Sequence, residues 1–190
     1  TGGTANDSLT GGGGVDTITG TGGTDIITGG KGNDILVGSG GNDTYVFGST
    51  GALNGVDVVT FTQANDKFDV SAIGTFTMLD TGIAIAGVTD VNITNKVVIF
   101  LEADNATAAD TASELKTFIN SNGNAMKLDP GGKAIIIQGY AGASDDPLNI
   151  WLVDDTLDSV NGTVATGDIS KLAALGDLAN TLTGDNFVFS

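Results

Sequence analysis

Along the first stretch of the chain, apolar side chains recur at every ninth position, a period that fits neither an isolated helix nor an isolated strand. Leu9, Ile18, Ile27, Leu36 and Tyr45 each stand at the centre of a short triplet, and each triplet follows an acid and a glycine-rich loop. Aligned, the units read GGTANDSLT, GGGGVDTIT, GTGGTDIIT, GGKGNDILV and GSGGNDTYV. A triplet is too short for a helix, but one inward residue flanked by two outward ones is what a period-two strand requires. No unit of this size can bury its own apolar face, so the units must stack to become stable. With two units to each full turn, Leu9, Ile27 and Tyr45 fall on one parallel sheet, and Ile18 and Leu36 on the sheet facing it. The pattern predicts a short parallel β-roll.

After Phe47 the nine-residue period is lost, and Gly48 to Gly55 reads as a turn-rich connection. A domain boundary is expected here, with a roll over residues 1–47 and a β-rich, sandwich-like domain over 48–190. Strands are predicted at Val56–Thr62, Phe68–Ile73, Val97–Leu101, Ala134–Gln138 and Leu148–Val153, with a hairpin turn at Asp80-Thr81-Gly82. One helix is predicted over Thr111–Asn120. Thr111 and Glu114 form its capping box, Ala112, Leu115, Phe118 and Ile119 mark one face, and Asn122-Gly123 stops it. That face suits packing on a sheet. Trp151, inside a strand, reads as core. The fold class is therefore mainly β: a short roll, then a β-rich domain with one packed helix.

Charge changes what the roll must be. Two units per turn bring Asp7 over Asp25, Asp16 over Asp34 and Asp25 over Asp43, about 4.8 Å apart in backbone terms. Like charges so placed repel by roughly 3–4 kcal/mol at an effective dielectric near 20. A cation must lie among them. Glycines let backbone carbonyls turn into the loop, and hard oxygen ligands in a flexible cage favour calcium over magnesium. The candidate ligands are the carboxylates of Asp7, Asp16, Asp25, Asp34 and Asp43, the amide oxygens of Asn6, Asn33 and Asn42, and loop carbonyls at Gly11, Gly13, Gly20, Gly22, Gly29 and Lys31.

The rest of the composition narrows the function by exclusion. With 23 acids, 7 lysines or arginines and a net charge of −16, the chain is unsuited to nucleic acid or anionic membranes. The absence of cysteine and histidine removes disulfides, Cys/His zinc sites, thiol nucleophiles and imidazole bases. There is no H-E-x-x-H, no G-x-S-x-G and no supported carboxylate pair, so no enzyme is expected within these residues. No apolar run is long enough for a transmembrane helix. Further acids at Asp57, Asp66 and Asp69 either bind an ion or solvate turns. Asp154, Asp155 and Asp158 fail the EF-hand pattern, because Ser159 and Ala165 occupy its glycine and bidentate-acid positions.

The units resemble the RTX nonapeptide repeat, G-G-x-G-x-D-x-U-x. Gly11–Thr19 and Gly29–Val37 match at every position, whereas Ala5, Thr21 and Ser39 replace glycines in the others. Asp66-Lys67-Phe68-Asp69-Val70-Ser71 resembles the passage that follows such rolls in type I secreted bacterial proteins, and the terminal Asp185-Asn186-Phe187-Val188-Phe189-Ser190 resembles an uncleaved export signal. The resemblance implies calcium as cofactor, the type I secretion machinery as partner, and a location outside the cell or on the bacterial surface. It points to a non-catalytic calcium-binding module that folds on export and forms the C-terminal part of a surface or structural protein, of S-layer or adhesin type. Self-assembly into a lattice or filament is a further expectation. The alternative is the export tail of a secreted protease or lipase whose catalytic domain lies outside this chain.

Overall fold

The computed structural model describes residues 1–61, 65–79, 91–92, 94–102, 112–113, 115–116, 126–127, 129, 132–140, 148–154, 169–175 and 186–188. Each repeat supplies one strand: β1 (Ser8–Gly13), β2 (Thr17–Gly22), β3 (Ile26–Lys31), β4 (Ile35–Gly40) and β5 (Thr44–Val46). Odd and even strands separate as the two-unit winding requires. β1, β3 and β5 pair in parallel with Leu9 beside Ile27 and Ile27 beside Tyr45. β2 pairs in parallel with β4, placing Ile18 beside Leu36. The central residue of each triplet points inward, and Ile27, Leu36 and Tyr45 are buried. Their flanking residues lie outward, which leaves Ile26 and Ile35 exposed. This is the parallel β-roll predicted from the repeats.

The ladder continues past residue 47. A single helical turn, α1 (Gly51–Asn54), is followed by β6 (Asp57–Thr60), which pairs with β4, and β7 (Lys67–Asp69), which pairs with β5. Both pairs are parallel, so the winding is unchanged although the repeat sequence has ended. The chain's last described strand, β15 (Phe187–Val188), adds to β7, and β14 (Ile169–Leu175) adds to β6. Inward columns therefore run Leu9, Ile27, Tyr45, Phe68, Phe187 on one sheet and Ile18, Leu36, Val59, Leu175 on the other. Tyr45, Phe68 and Phe187 stack with ring centroids 6.0 and 5.7 Å apart. Phe61 lies flat against Phe68 at 4.9 Å.

By its contacts the chain falls into two compact units, residues 1–75 with 172–190 and residues 76–171. In the first, apolar burial is continuous: Tyr45 is covered by Phe68, and Phe68 by Phe187.

Within the second unit, β8 (Thr77–Leu79), β10 (Lys96–Glu102), β12 (Lys133–Tyr140) and β13 (Leu148–Asp154) lie in the order β13-β12-β10-β8. β12 and β13 are antiparallel, and β10 is parallel to both β8 and β12. A separate parallel pair joins β9 (Val91–Asn92) to β11 (Met126–Lys127). Ala134 to Ile137 and Ile150 to Val153 are buried without alternation, as expected of strands covered on both faces. Trp151 is buried, as its place in a strand implied, with the Lys171 ammonium 4.8 Å from its ring centroid. Ala112, Ser113, Leu115 and Lys116 are helical and Leu115 is buried. The capping residues Thr111 and Glu114, the Asp80-Thr81-Gly82 turn, Asp155 and Asp158 lie outside the described residues.

Candidate metal centre

The loops between repeat strands turn through backbone conformations that side chains disfavour. Gly14, Gly23, Gly32 and Gly41 have φ of 109, 115, 125 and 117°. They also stack closely, since a Cβ on Gly32 would strike the Gly14 carbonyl and one on Gly41 the Gly23 carbonyl. Thr21 and Ser39 hold φ of 95 and 76° despite their side chains, and they are neighbours in register. Two of the three departures from the repeat thus preserve the loop at some cost in strain.

The aspartates form two lanes along the roll. The backbone N–H of Asp7 donates to Oδ1 of Asp25 (2.9 Å), and that of Asp25 to Oδ1 of Asp43 (2.9 Å). In the other lane the N–H of Asp16 donates to Oδ1 of Asp34 (2.8 Å). Asp25, Asp34 and Asp43 thus each spend one oxygen holding the turn before, and the second oxygen goes elsewhere. Oδ2 of Asp16, Asp25, Asp34 and Asp43 is buried and accepts no hydrogen bond among the described residues. A buried, unpartnered carboxylate oxygen is costly. Only Asp7, in the outermost turn, has a backbone donor on Oδ2, from Gly3 (2.7 Å).

What faces those oxygens is a glycine five residues earlier. A Cβ on Gly11 would lie 2.6 Å from Asp16 Oδ2 and 2.5 Å from the Gly29 carbonyl oxygen one turn on. A Cβ on Gly2 would lie 2.6 Å from both Asp7 Oδ2 and the Gly20 carbonyl oxygen. On Gly20 it would strike Asp25 Oδ2 and come within 2.8 Å of the Gly38 carbonyl. At Gly2, Gly11 and Gly20 an acidic oxygen of the glycine's own turn and a carbonyl of the next both lie within 2.8 Å of where a Cβ would stand, so two oxygens converge on a place that only glycine leaves open; at Gly29 and Gly38 the acidic oxygen does so. Those are hard oxygen donors in a loop without side chains, and they fit a calcium ion. Among the described residues no three carboxylates converge on one point, and the other oxygen donors at these places are backbone carbonyls.

The structure sorts the sequence candidates. Asp7, Asp16, Asp25, Asp34 and Asp43 are brought into the two lanes, with Gly11, Gly20 and Gly29 at their gaps. Gly13 and Lys31 face each other in the ladder, where the Lys31 carbonyl accepts from Gly14 (2.8 Å), and Gly22 donates to the Gly3 carbonyl (3.0 Å). Asn6 and Asn33 hold neighbouring turns together. Their Oδ1 atoms accept the N–H of Thr24 (2.8 Å) and Val56 (2.9 Å) one turn on, so they act as clamps between turns. Asn42 is exposed. Gly2 and Gly38, absent from the sequence candidates, border the gaps of Asp7, Asp25 and Asp43; their signal was their position five residues before an aspartate.

Asp57 and Asp66 extend the lanes beyond the repeats. Their Oδ1 atoms accept the N–H of Asp34 (3.0 Å) and Asp43 (2.9 Å) across 23 residues instead of 18. Asp69 caps the N–H of Ser71 (2.9 Å), a turn-solvating role, and Asp154 pairs with Lys133 at 2.9 Å. Burial pushes the Asp57 carboxyl up to about 7; the Asp34 N–H opposes the rise and the Asp34 charge adds to it. Burial likewise raises Asp43, against the Asp25 N–H, and the charges of Asp66 and Asp25 add to it. In both, burial and a neighbouring like charge disfavour the ionised form.

Residues 1–27 and 19–50 match the model of the RTX calcium-binding nonapeptide repeat (4 copies). The first fifty residues are thus an RTX repeat region, and calcium is the cofactor of such repeats. No curated protein and no solved structure matches the chain. No helix among the described residues is long and apolar enough to cross a membrane.

Proposed function

We propose that this chain is a non-catalytic module of a secreted bacterial surface protein, folding outside the cell when calcium fills the gaps beneath Asp7, Asp16, Asp25, Asp34 and Asp43. The observation that carries the reading is the buried, unpartnered Oδ2 of Asp25 set against glycines with no room for a side chain. Without a cation, the lanes hold buried like charges and oppose the fold. Extracellular modules bind calcium with dissociation constants of roughly 0.1–1 mM, well above cytosolic levels, so the roll stays open and threadable inside the cell. Outside, each filled site adds RT ln(1 + [L]/Kd), about 2.7 kcal/mol at a hundredfold excess. The terminal segment then serves the type I exporter before it folds. The test is far-UV circular dichroism during a calcium titration from excess chelator. Strand signal should rise cooperatively with calcium; a fully folded roll in chelator would sink the proposal.

A further inference from the structure

Four of the five inward residues of the repeats are aliphatic, and the fifth carries a hydroxyl. Tyr45 is completely buried, and its ring reaches from β5 across the core to the facing sheet. There its hydroxyl accepts the N–H of Gly38 (2.8 Å) and donates to the carbonyl of Thr60 (2.7 Å). Register explains the place. Val37 is opposite Thr60, and in a parallel ladder the next N–H, that of Gly38, would reach the Thr60 carbonyl directly. The hydroxyl takes over that rung where β6 ends.

Gly38 borders two of the gaps described above. A Cβ there would strike Asp43 Oδ2, while its carbonyl oxygen faces the gap beneath Asp25 Oδ2. We infer that Tyr45 is a positioning residue for the cation sites of Asp25 and Asp43, acting through the peptide of Gly38. It has no contact with the cation itself. The inference rests on the calcium reading and adds a specific consequence: the sites of Asp25 and Asp43 depend on a side chain in the core, whereas those of Asp7, Asp16 and Asp34 do not.

The test compares the intact chain with Tyr45→Phe and with Ile27→Val, a purely apolar loss in the same inward column. For each, bound calcium is counted and its affinities resolved by calorimetric titration, and thermal unfolding is followed at saturating calcium. Tyr45→Phe should weaken two sites about tenfold, on the order expected for two lost hydrogen bonds, and leave the others near their original affinity. Ile27→Val should lower the unfolding temperature without separating the sites. Equal affinity losses in the two variants, or none in Tyr45→Phe, would overturn the inference while leaving calcium binding intact. No calcium uptake by the unaltered chain would overturn the calcium reading and this inference together. A second readout avoids the variant's own folding: in fluorotyrosine-labelled chain, the Tyr45 resonance should keep shifting as the last sites fill after strand signal has saturated, and a resonance indifferent to that filling would also overturn it.

Discussion

The repeat turns and the turns that close them share one ladder but are held in different ways. In both, an aspartate Oδ1 accepts the N–H of the aspartate one turn earlier. In the repeats a glycine stands five residues before each aspartate. Before Asp57 and Asp66 that position is taken by Ala52 and Phe61. The longer closing loop is held by its own amide: Asn54 accepts from the Gly48 N–H and donates to the carbonyls of Gly48 (3.1 Å) and Thr50 (2.7 Å). Around it, Tyr45, Phe47, Phe61, Phe68 and Phe187 stack. One region thus keeps an open gap for a cation over a thin aliphatic core. The other has no glycine at that position and rests on aromatic burial. The difference separates two jobs of the aspartate, holding the next turn and binding an ion, which the repeats combine in one side chain.

The largest effect should come from breaking the aromatic region. Phe68 is fully buried and contacts four other rings, so Phe68→Ala should cost about 3–5 kcal/mol. Because this part depends on no cation, added calcium should not restore the lost stability, as chemical denaturation at high and low calcium would show. Complete rescue by calcium would mean that the two regions are held alike.

A pH series sharpens the contrast in chelator. The Asp57 carboxyl lies near 7 in the fold, against an ordinary value near 4. A raised carboxyl binds its proton more tightly when folded, so its contribution is fully present below about pH 4 and is lost as pH rises through about 7. The cation-free chain should therefore be more stable at pH 5 than at pH 8, by on the order of 3 kcal/mol at most. Equal urea midpoints at the two pH values in chelator would contradict the buried state of Asp57.

Much of this was legible in the sequence because the repeat writes period and chemistry at the same positions. Leu9, Ile18, Ile27, Leu36 and Tyr45 fix both sheets, and the aspartates fix both lanes. The closing turns were not legible as part of the roll. The five extra residues of the 48–57 loop hide the period, and the pairing of Phe187 with Phe68 joins residues far apart in sequence. Local spacing carries no sign of such a contact. The clamping by Asn6 and Asn33 was not legible for a different reason: whether an amide oxygen beside a metal loop accepts from the next turn depends on where Thr24 and Val56 fall in space.

Asp25→Asn asks whether the two jobs of the aspartate come apart. The amide keeps an Oδ1 to accept the Asp7 N–H, and its NH2 group would face the Gly38 carbonyl where a cation is expected. It also removes the repulsion from Asp7 and Asp43. In chelator the variant should be about 1–3 kcal/mol more stable than the original chain; at saturating calcium it should be less stable and bind fewer ions. Calcium-dependent unfolding curves that cross for the two chains would show the separation, and a variant weaker at every calcium level would refute it.

The smallest effect tests the loops themselves. Thr21 holds φ of 95° with its side chain exposed, a conformation that costs a residue with a Cβ roughly 1–2 kcal/mol. Glycine removes that strain but gives back about 0.5–1 kcal/mol through the greater freedom of the unfolded chain. Thr21→Gly should therefore stabilise by about 1 kcal/mol or less. Ala5 is the control, because it too replaces a glycine of the repeat yet is not among the residues with positive φ. With no strain to relieve, Ala5→Gly should lower stability slightly. Opposite shifts in unfolding temperature for two changes that both restore the repeat would show that backbone conformation, not resemblance to the repeat, sets the outcome; shifts of the same sign would show the reverse.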